Sequence, residues 1–247
     1  MPIIRKLTTM HKIHLSPSSF FCPKYSSHIN NWHGHIPFAC DLVYYERPSL
    51  IVELGVHLGD SYFAFCQAVK EFNLNTQCIG IDNWQGDEQS GFYDEDVFYK
   101  VQNYNNENYF KFSRFIKSDF DEALNLIEDK SIDILHLDGC HKKENISHDF
   151  YNWFPKVKEN GFVLLHDITI RRQDFGVYQF WEEIHDNYPS YSFFHSCGLG
   201  IIQKSNESKL CLGEITFDSS DNSIKDHYLY HSLRVTQFTN TSNAHIT

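Results

Sequence analysis

Two short segments of this 247-residue chain, Asp138-Gly139-Cys140-His141 and His166-Asp167, bring together residue types suited to proton transfer or metal binding. Each follows an apolar run, Ile132 to Leu137 in the first case and Phe162 to Leu165 in the second. An imidazole titrates near neutrality, so it can take a proton from a hydroxyl at working pH. His141 is therefore the candidate general base, with Asp138 beside it to orient the reacting group. Asp138, His166 and Asp167 also offer oxygen and nitrogen donors to one divalent ion such as Mg²⁺ or Mn²⁺.

A second constellation is suited to holding a ligand. In Glu53-Leu54-Gly55-Val56-His57-Leu58-Gly59-Asp60-Ser61, an acid and two spaced glycines come directly after the strand-like run Ser49 to Val52. Glycine reaches positive φ at little cost and lets the backbone approach a ligand closely. A dinucleotide fingerprint is Gly-x-Gly-x-x-Gly with an acid about twenty residues later. Here His57 stands at the middle glycine position and the acid precedes the turn. The expected cofactor contacts are Glu53, Gly55, His57, Gly59 and Ser61 in the turn, joined by Asp82, Trp84, Ser118, Asp119 and Asp138. Asp82 ends a short apolar run, where its carboxylate can accept two ribose hydroxyls or cap the following turn. Trp84 can stack on a base or cover a sheet edge. Ser118 and Asp119 can bond a base edge or cap a helix.

These residues need elements to carry them, and the hydrophobic periods supply a regular alternation. Strands are expected at Ser49 to Val52, Gln77 to Asp82, Phe112 to Ile116, Ile132 to Leu137 and Phe162 to Leu165, with a closing hairpin from Tyr191 to Phe194 and Leu199 to Ile202. Helical stripes fall between them, at Phe38 to Tyr45, Tyr62 to Val69, Val97 to Tyr109, Phe120 to Ile127, Glu144 to Val157 and around Val177 to Ile184. Asn160-Gly161 reads as a helix stop, and Trp84 to Phe92 as a loop. Alternation of this kind gives an α/β fold with a doubly wound, mostly parallel sheet. Ligands then sit outside the carboxyl ends of the strands, where Gly55, Asp82, Ser118, Asp138 and His166 all fall. Residues 1–30 read as an extended, loosely attached arm, 31–204 as the domain, and 205–247 as a peripheral, Ser/Asn-rich extension.

Composition narrows the partners. A formal charge of −11, from 32 acids and 21 bases, disfavours nucleic acid and anionic membrane surfaces. A small-molecule or neutral glycan substrate fits better. The seven cysteines are scattered without a Cys-x-x-Cys pair, and no signal peptide or long apolar span is evident. A cytoplasmic protein with free thiols and no membrane span is expected, and the sequence leaves room for a homodimer.

The acid-x-Gly-x-x-x-Gly-x-Ser turn resembles motif I of the S-adenosylmethionine-dependent methyltransferases, in its catechol-type form. From about Trp32 to about Ile202 the chain is similar to the type 24 methyltransferase family, found near or fused to glycosyltransferases. The resembling pieces include His33-Gly34-His35-Ile36-Pro37-Phe38, Glu53 to Gln67, Ile81 to Glu88, Phe120-Asp121-Glu122-Ala123-Leu124, Leu135 to Gly139, Val163 to Asp167, Asp174-Phe175-Gly176-Val177 and Gly198-Leu199-Gly200. The resemblance implies S-adenosylmethionine as cofactor and the class I methyltransferase fold, a Rossmann-like seven-stranded sheet with one antiparallel strand near its C-terminal end. A more distant similarity to catechol-type O-methyltransferases implies that Asp138 and Asp167 match metal-binding aspartates and that His141 falls where those enzymes carry a catalytic lysine. Ile168 stands where they carry a third metal ligand, an amide, so His166 would have to substitute.

The expectation is O-methylation of a hydroxyl on a small-molecule or sugar acceptor, with or without a divalent metal. A nicotinamide-dependent oxidoreductase and a non-catalytic cofactor-binding scaffold in glycan assembly are the alternatives. His57 in the turn weighs against the first, and intact Asp138, His141 and Asp167 weigh against the second. A metal hydrolase lacks the His-Glu-x-x-His spacing it would need.

Overall fold

The computed structural model describes residues 15–87 and 91–243. Its sheet has seven strands: β1 (Leu50–Leu54), β2 (Gln77–Asp82), β3 (Ser113–Lys117), β4 (Ile132–Leu137), β5 (Val157–His166), β6 (Ser190–Phe193) and β7 (Leu199–Gln203). They lie in the order β3-β2-β1-β4-β5-β7-β6. All pairings through β5 are parallel, and β7 runs antiparallel to both of its neighbours. The strand order reverses between β1 and β4, so the loops leaving those two strands diverge and open a cleft between them.

Alternation along the strands explains why helices cover both faces. On β1, Ile51 points into one apolar layer, while Val52 and Leu54 point into the other. The first layer is closed by α1 (Ile36–Glu46), α2 (Asp60–Glu71), α3 (Glu95–Asn108) and α7 (Asn222–Asn243). The second is closed by α4 (Phe120–Ala123), α5 (Lys143–Trp153) and α6 (Val177–Ile184). On α6 the buried residues are Val177, Phe180, Trp181 and Ile184, a three-and-four spacing that turns one helical face to the sheet.

Several local expectations need correcting. Helix α5 stops at Trp153, where a 3-10 turn containing Pro155 takes over, and Asn160-Gly161 lies inside β5. Asn160 takes φ 65° where the pairing slips from Ile132↔Val157 to Ile134↔Phe162, so the turn residues make a bulge and not a helix stop. The Trp84–Phe92 stretch is not loop throughout, since Gly86–Asp87 pairs with Gly91–Phe92 in a small hairpin.

The flanking segments are not loose. Ser18 donates to Asp41 on α1 from its backbone N–H and from its hydroxyl, both at 2.8 Å, and Phe21 is buried. Arg234 on α7 donates to the carbonyls of Ser18 (2.9 Å) and Phe21 (2.8 Å). Buried Tyr228 donates to the same Asp41 at 3.1 Å. Residues 15–30 and α7 are thus braced on α1, while residues 1–14 lie outside the described part. Among the described residues no helix is long and apolar enough to cross a membrane.

Candidate active site at the carboxyl ends of the strands

A cavity of about 630 Å³ opens over the ends of β1, β2, β3, β4 and β5. Its floor is the turn from β1 into α2. Gly55 (φ 88°) and Gly59 (φ 87°) both need the left-handed region, and a Cβ on Gly55 would lie 2.1 Å from the Asp138 carbonyl oxygen. The turn is therefore pressed against the exit of β4, which only glycine permits. His57 adopts φ 49° and stacks on Tyr93, ring centroids 4.5 Å apart.

The structure gathers Gly55, His57, Gly59, Ser61, Asp82, Ser118, Asp119, Asp138, His141, His166 and Asp167 around this cavity. Glu53 and Trp84 are not among the lining residues, and each has another position. Glu53 is fully buried beneath the turn, accepting the Ser61 hydroxyl at 2.7 Å. Its other oxygen lies 3.1 Å from His136 Nδ1. Trp32 donates its indole N–H to His136 Nε2 at 3.1 Å, so Nδ1 carries the ring's proton toward Glu53 when the ring is neutral. Burial pushes the Glu53 carboxyl up, against the pull of His136 and Ser61. Trp84 packs between Phe98 and Phe115, at 4.8 and 5.3 Å, and donates to the His57 carbonyl at 3.0 Å. It supports the turn from below.

Asp82 lines the cavity but is already heavily engaged. Oδ2 accepts the Val56 and His57 N–H groups, both at 2.9 Å, and Oδ1 accepts Trp84 N–H at 2.7 Å. Burial raises its pKa while these backbone bonds oppose the rise. With two lone pairs per oxygen, Oδ1 retains one site for a ligand hydroxyl. Asp119 accepts from Asn83 at 2.7 Å and starts α4, without the side-chain cap bond that the sequence allows. Ser118 bonds Glu122 at 3.1 Å.

At the other end, the two imidazoles and two aspartates of the opening motifs meet. His141 Nε2 lies 2.8 Å from Asp167 Oδ2 and 3.9 Å from Asp138 Oδ1. Phe175 stacks on the His141 ring at 4.7 Å, and the His141 carbonyl accepts Gly176 N–H at 2.7 Å. Burial lowers the His141 pKa, but the hydrogen bond and charge of Asp167, with Asp138, raise it overall. His166 donates through Nε2 to the Ser196 carbonyl at 3.1 Å and turns Nδ1 to Asp138 Oδ1 at 3.3 Å. Burial opposes its charge, yet Asp138 and Asp167 push its pKa up to about 9. In turn His166 outweighs burial at Asp138 and holds that carboxyl well below the usual carboxylate range.

This arrangement adds His141 to the metal donors expected from the sequence. Asp138, His141 and Asp167 have ligand atoms within 4.8 Å of one another, while His166 stands behind Asp138 as its cationic partner. Two carboxylates and one imidazole fit a Mn²⁺-like ion better than Mg²⁺, which favours oxygen alone.

Several lining residues escaped the sequence reading. Trp32 reaches the cavity from the N-terminal segment, and Asp60, directly after Gly59, accepts His33 Nε2 at 2.8 Å and Ser27 N–H at 2.7 Å. Arg172 and Phe175 come from the loop after β5, and Asp149 from α5. The His33-Gly34-His35 motif was the available signal for the first pair; no periodic signal marks the others.

A sheet ordered β3-β2-β1-β4-β5-β7-β6 with a glycine turn at its switch point defines the class I methyltransferase fold. Residues 52–168 match the type 24 methyltransferase-domain family model. It is 42% identical over 200 residues to a Sinorhizobium fredii protein known as uncharacterized protein y4gI, a match covering 81% of this chain and 22% of that relative. The chain thus spans about a fifth of that protein's length. Among solved structures it resembles the O-methyltransferase NovP (TM-score 0.55, 16% identity, 71% of this chain and 80% of that one). It also resembles the O-methyltransferase TomG from Streptomyces achromogenes, solved in complex with SAM (TM-score 0.53, 11% identity, 76% and 94%). At such identities the likeness concerns the fold.

Proposed function

We propose that residues 31–204 form an S-adenosylmethionine-dependent methyltransferase unit that O-methylates a hydroxyl on a small-molecule or sugar acceptor, with residues 15–30 and α7 as its brace. The observation that carries this reading is the His141–Asp167 contact at 2.8 Å, opening on the same cavity as the Gly55–Gly59 turn. The turn fits the cofactor, because the backbone cradle is one that a Cβ at Gly55 would fill. When bound, the cofactor supplies a methyl carbon already activated by its sulfonium.

The protein's share is then mostly positioning. Gly55, Gly59 and Ser61 hold the amino-acid end, with Ser61 fixed by Glu53. The free site on Asp82 takes a ribose hydroxyl, and Ser118 with Asp119 faces the base. Asp138, held by His166, orients the acceptor oxygen, whose proton passes to the His141–Asp167 pair. Phe175 fixes the plane of the His141 ring and keeps water from that side. A divalent ion, if one is held by Asp138, His141 and Asp167, would supply Lewis acidity toward the acceptor oxygen. The seven cysteines are all free thiols, which supports a reducing, cytoplasmic setting.

Calorimetry with S-adenosylhomocysteine and with NAD tests the cofactor. Micromolar binding of the first and none of the second is expected, and the reverse result overturns the reading. Repeating the titration after chelation, and again with added Mn²⁺, decides the metal.

A further inference from the structure

Eight aspartates line the cavity, and seven of them already have partners. Asp60 holds His33, Asp82 the backbone of the turn, Asp119 Asn83, Asp138 His166, Asp167 His141 and Asp121 His148. Asp87 is also engaged. Asp149 is the exception: it lines the cavity, is 9% exposed, and no hydrogen-bond donor among the described residues reaches its carboxylate. A carboxyl desolvated this far without a partner costs free energy in the empty protein, and a ligand donor that meets it recovers that cost.

The position of Asp149 indicates which ligand group that is. The neighbouring His148 lies 2.9 and 3.0 Å from the two carboxylate oxygens of Asp121, which ties the middle of α5 to the first turn of α4. Helix α4 begins directly after Ser118 and Asp119, at the end of β3. The ring of Phe120 closes over Gly139, where a Cβ would lie 2.5 Å from it. Asp149 lines the cavity with Asp121 and His148 as its charged neighbours, which puts it on the β3 side, where the base of a nucleoside would lie. The His141–Asp167 centre, at the ends of β4 and β5, takes the acceptor.

Resting on the cofactor reading above, we infer that Asp149 is a base-recognition residue that accepts the exocyclic amine of the cofactor's purine. Helix α5 thereby adds a selective contact to a cleft otherwise built from strand-end loops. Above neutral pH, where the carboxyl is ionised, such a contact rejects a purine bearing an oxygen at the same position, because two acceptors would face each other.

Titration calorimetry above neutral pH with S-adenosylhomocysteine and with S-inosylhomocysteine, whose 6-oxo group replaces the amine, tests the assignment. The unmodified protein should bind the adenine compound about tenfold more tightly or better. The amide introduced by Asp149→Asn can turn over to serve either base, so the preference should fall to within about twofold while S-adenosylhomocysteine affinity changes little. Asp149→Ala should weaken the adenine compound about tenfold and leave the inosine compound within about twofold. Full preference retained in both variants overturns the assignment, as does a loss seen only in acceptor KM. Failure of the unmodified protein to bind either compound would instead refute the cofactor reading itself.

Discussion

One carboxylate–imidazole pair bridges β1 and β4 at the switch point and another lies beyond the ends of β4 and β5, and they differ in burial more than in chemistry. Glu53 and His136 have side chains 0% exposed and face each other across 3.1 Å. His141 and Asp167 are 15% and 10% exposed and approach to 2.8 Å. The first pair is enclosed by Ser61 and Trp32, which occupy its remaining polar atoms, so it can move neither a proton nor a ligand. The second pair opens on the cavity and is steadied from one face by Phe175. One pair therefore fixes the β1–α2 turn from beneath, and the other is open to the cavity.

If that division is right, the largest effect on turnover comes from the open pair. His141→Ala should lower kcat by about 10²–10⁴-fold, the usual contribution of a positioned general base, while S-adenosylhomocysteine affinity stays within about twofold. A full rate retained on a competent acceptor would remove His141 from the reaction. Gly55→Ala tests the turn itself. Its φ of 88° and the 2.1 Å approach of a Cβ to the Asp138 carbonyl predict loss of cofactor binding together with about 1–3 kcal/mol of stability. A variant that bound the cofactor normally would mean that the turn relaxes at no cost.

The enclosed pair should answer in stability and not in chemistry. Glu53→Leu removes the acceptors that Ser61 and His136 Nδ1 face, leaving those donors buried without a partner. A loss of about 1–3 kcal/mol follows, read as a fall of about 2–10 °C in melting temperature. Turnover at saturating cofactor should remain within about threefold, the size of a minor positioning effect. A collapse in kcat with unchanged melting would mean that Glu53 acts on the reaction directly.

The same comparison shows why part of the site was legible in the sequence and part was not. Strands β1, β2 and β4 carry apolar runs ending in Gly55, Asp82 and Asp138, so the rim of the cleft was visible from period and position. What sequence does not reveal is which way a polar side chain turns. Glu53 and Asp82 both end strands beside a ligand-binding turn, yet Glu53 faces into the core and most of Asp82 is committed to backbone N–H groups. A tight turn exposes unpaired donors that must be satisfied from some nearby acceptor, and the residue that does so looks the same in sequence as one reserved for a ligand. Trp84, which the sequence leaves open between a base and a sheet edge, shows the same ambiguity, as its indole serves the His57 carbonyl. The brace formed by residues 15–30 and α7 was missed because its links, such as Ser18 to Asp41 and Arg234 to Ser18, are isolated long-range contacts without a period.

Asp149 gives the smallest effect and a pH dependence whose sign differs from the common carboxylate case. Burial, reinforced by Asp121 and opposed by His148, carries its pKa from 3.8 up to about 7. Between those two values the folded protein holds a proton on Asp149 that the unfolded chain has released. The native state therefore binds more protons, and stability falls as pH rises through that window. Asp149→Asn removes the titration and leaves an uncharged group of similar shape. Melting curves of the two proteins should converge near pH 4, and the variant should become the more stable as pH approaches 8. A pH-independent difference between them would mean that Asp149 acquires a partner in solution, and it would remove the reason for expecting a ligand amine at that site.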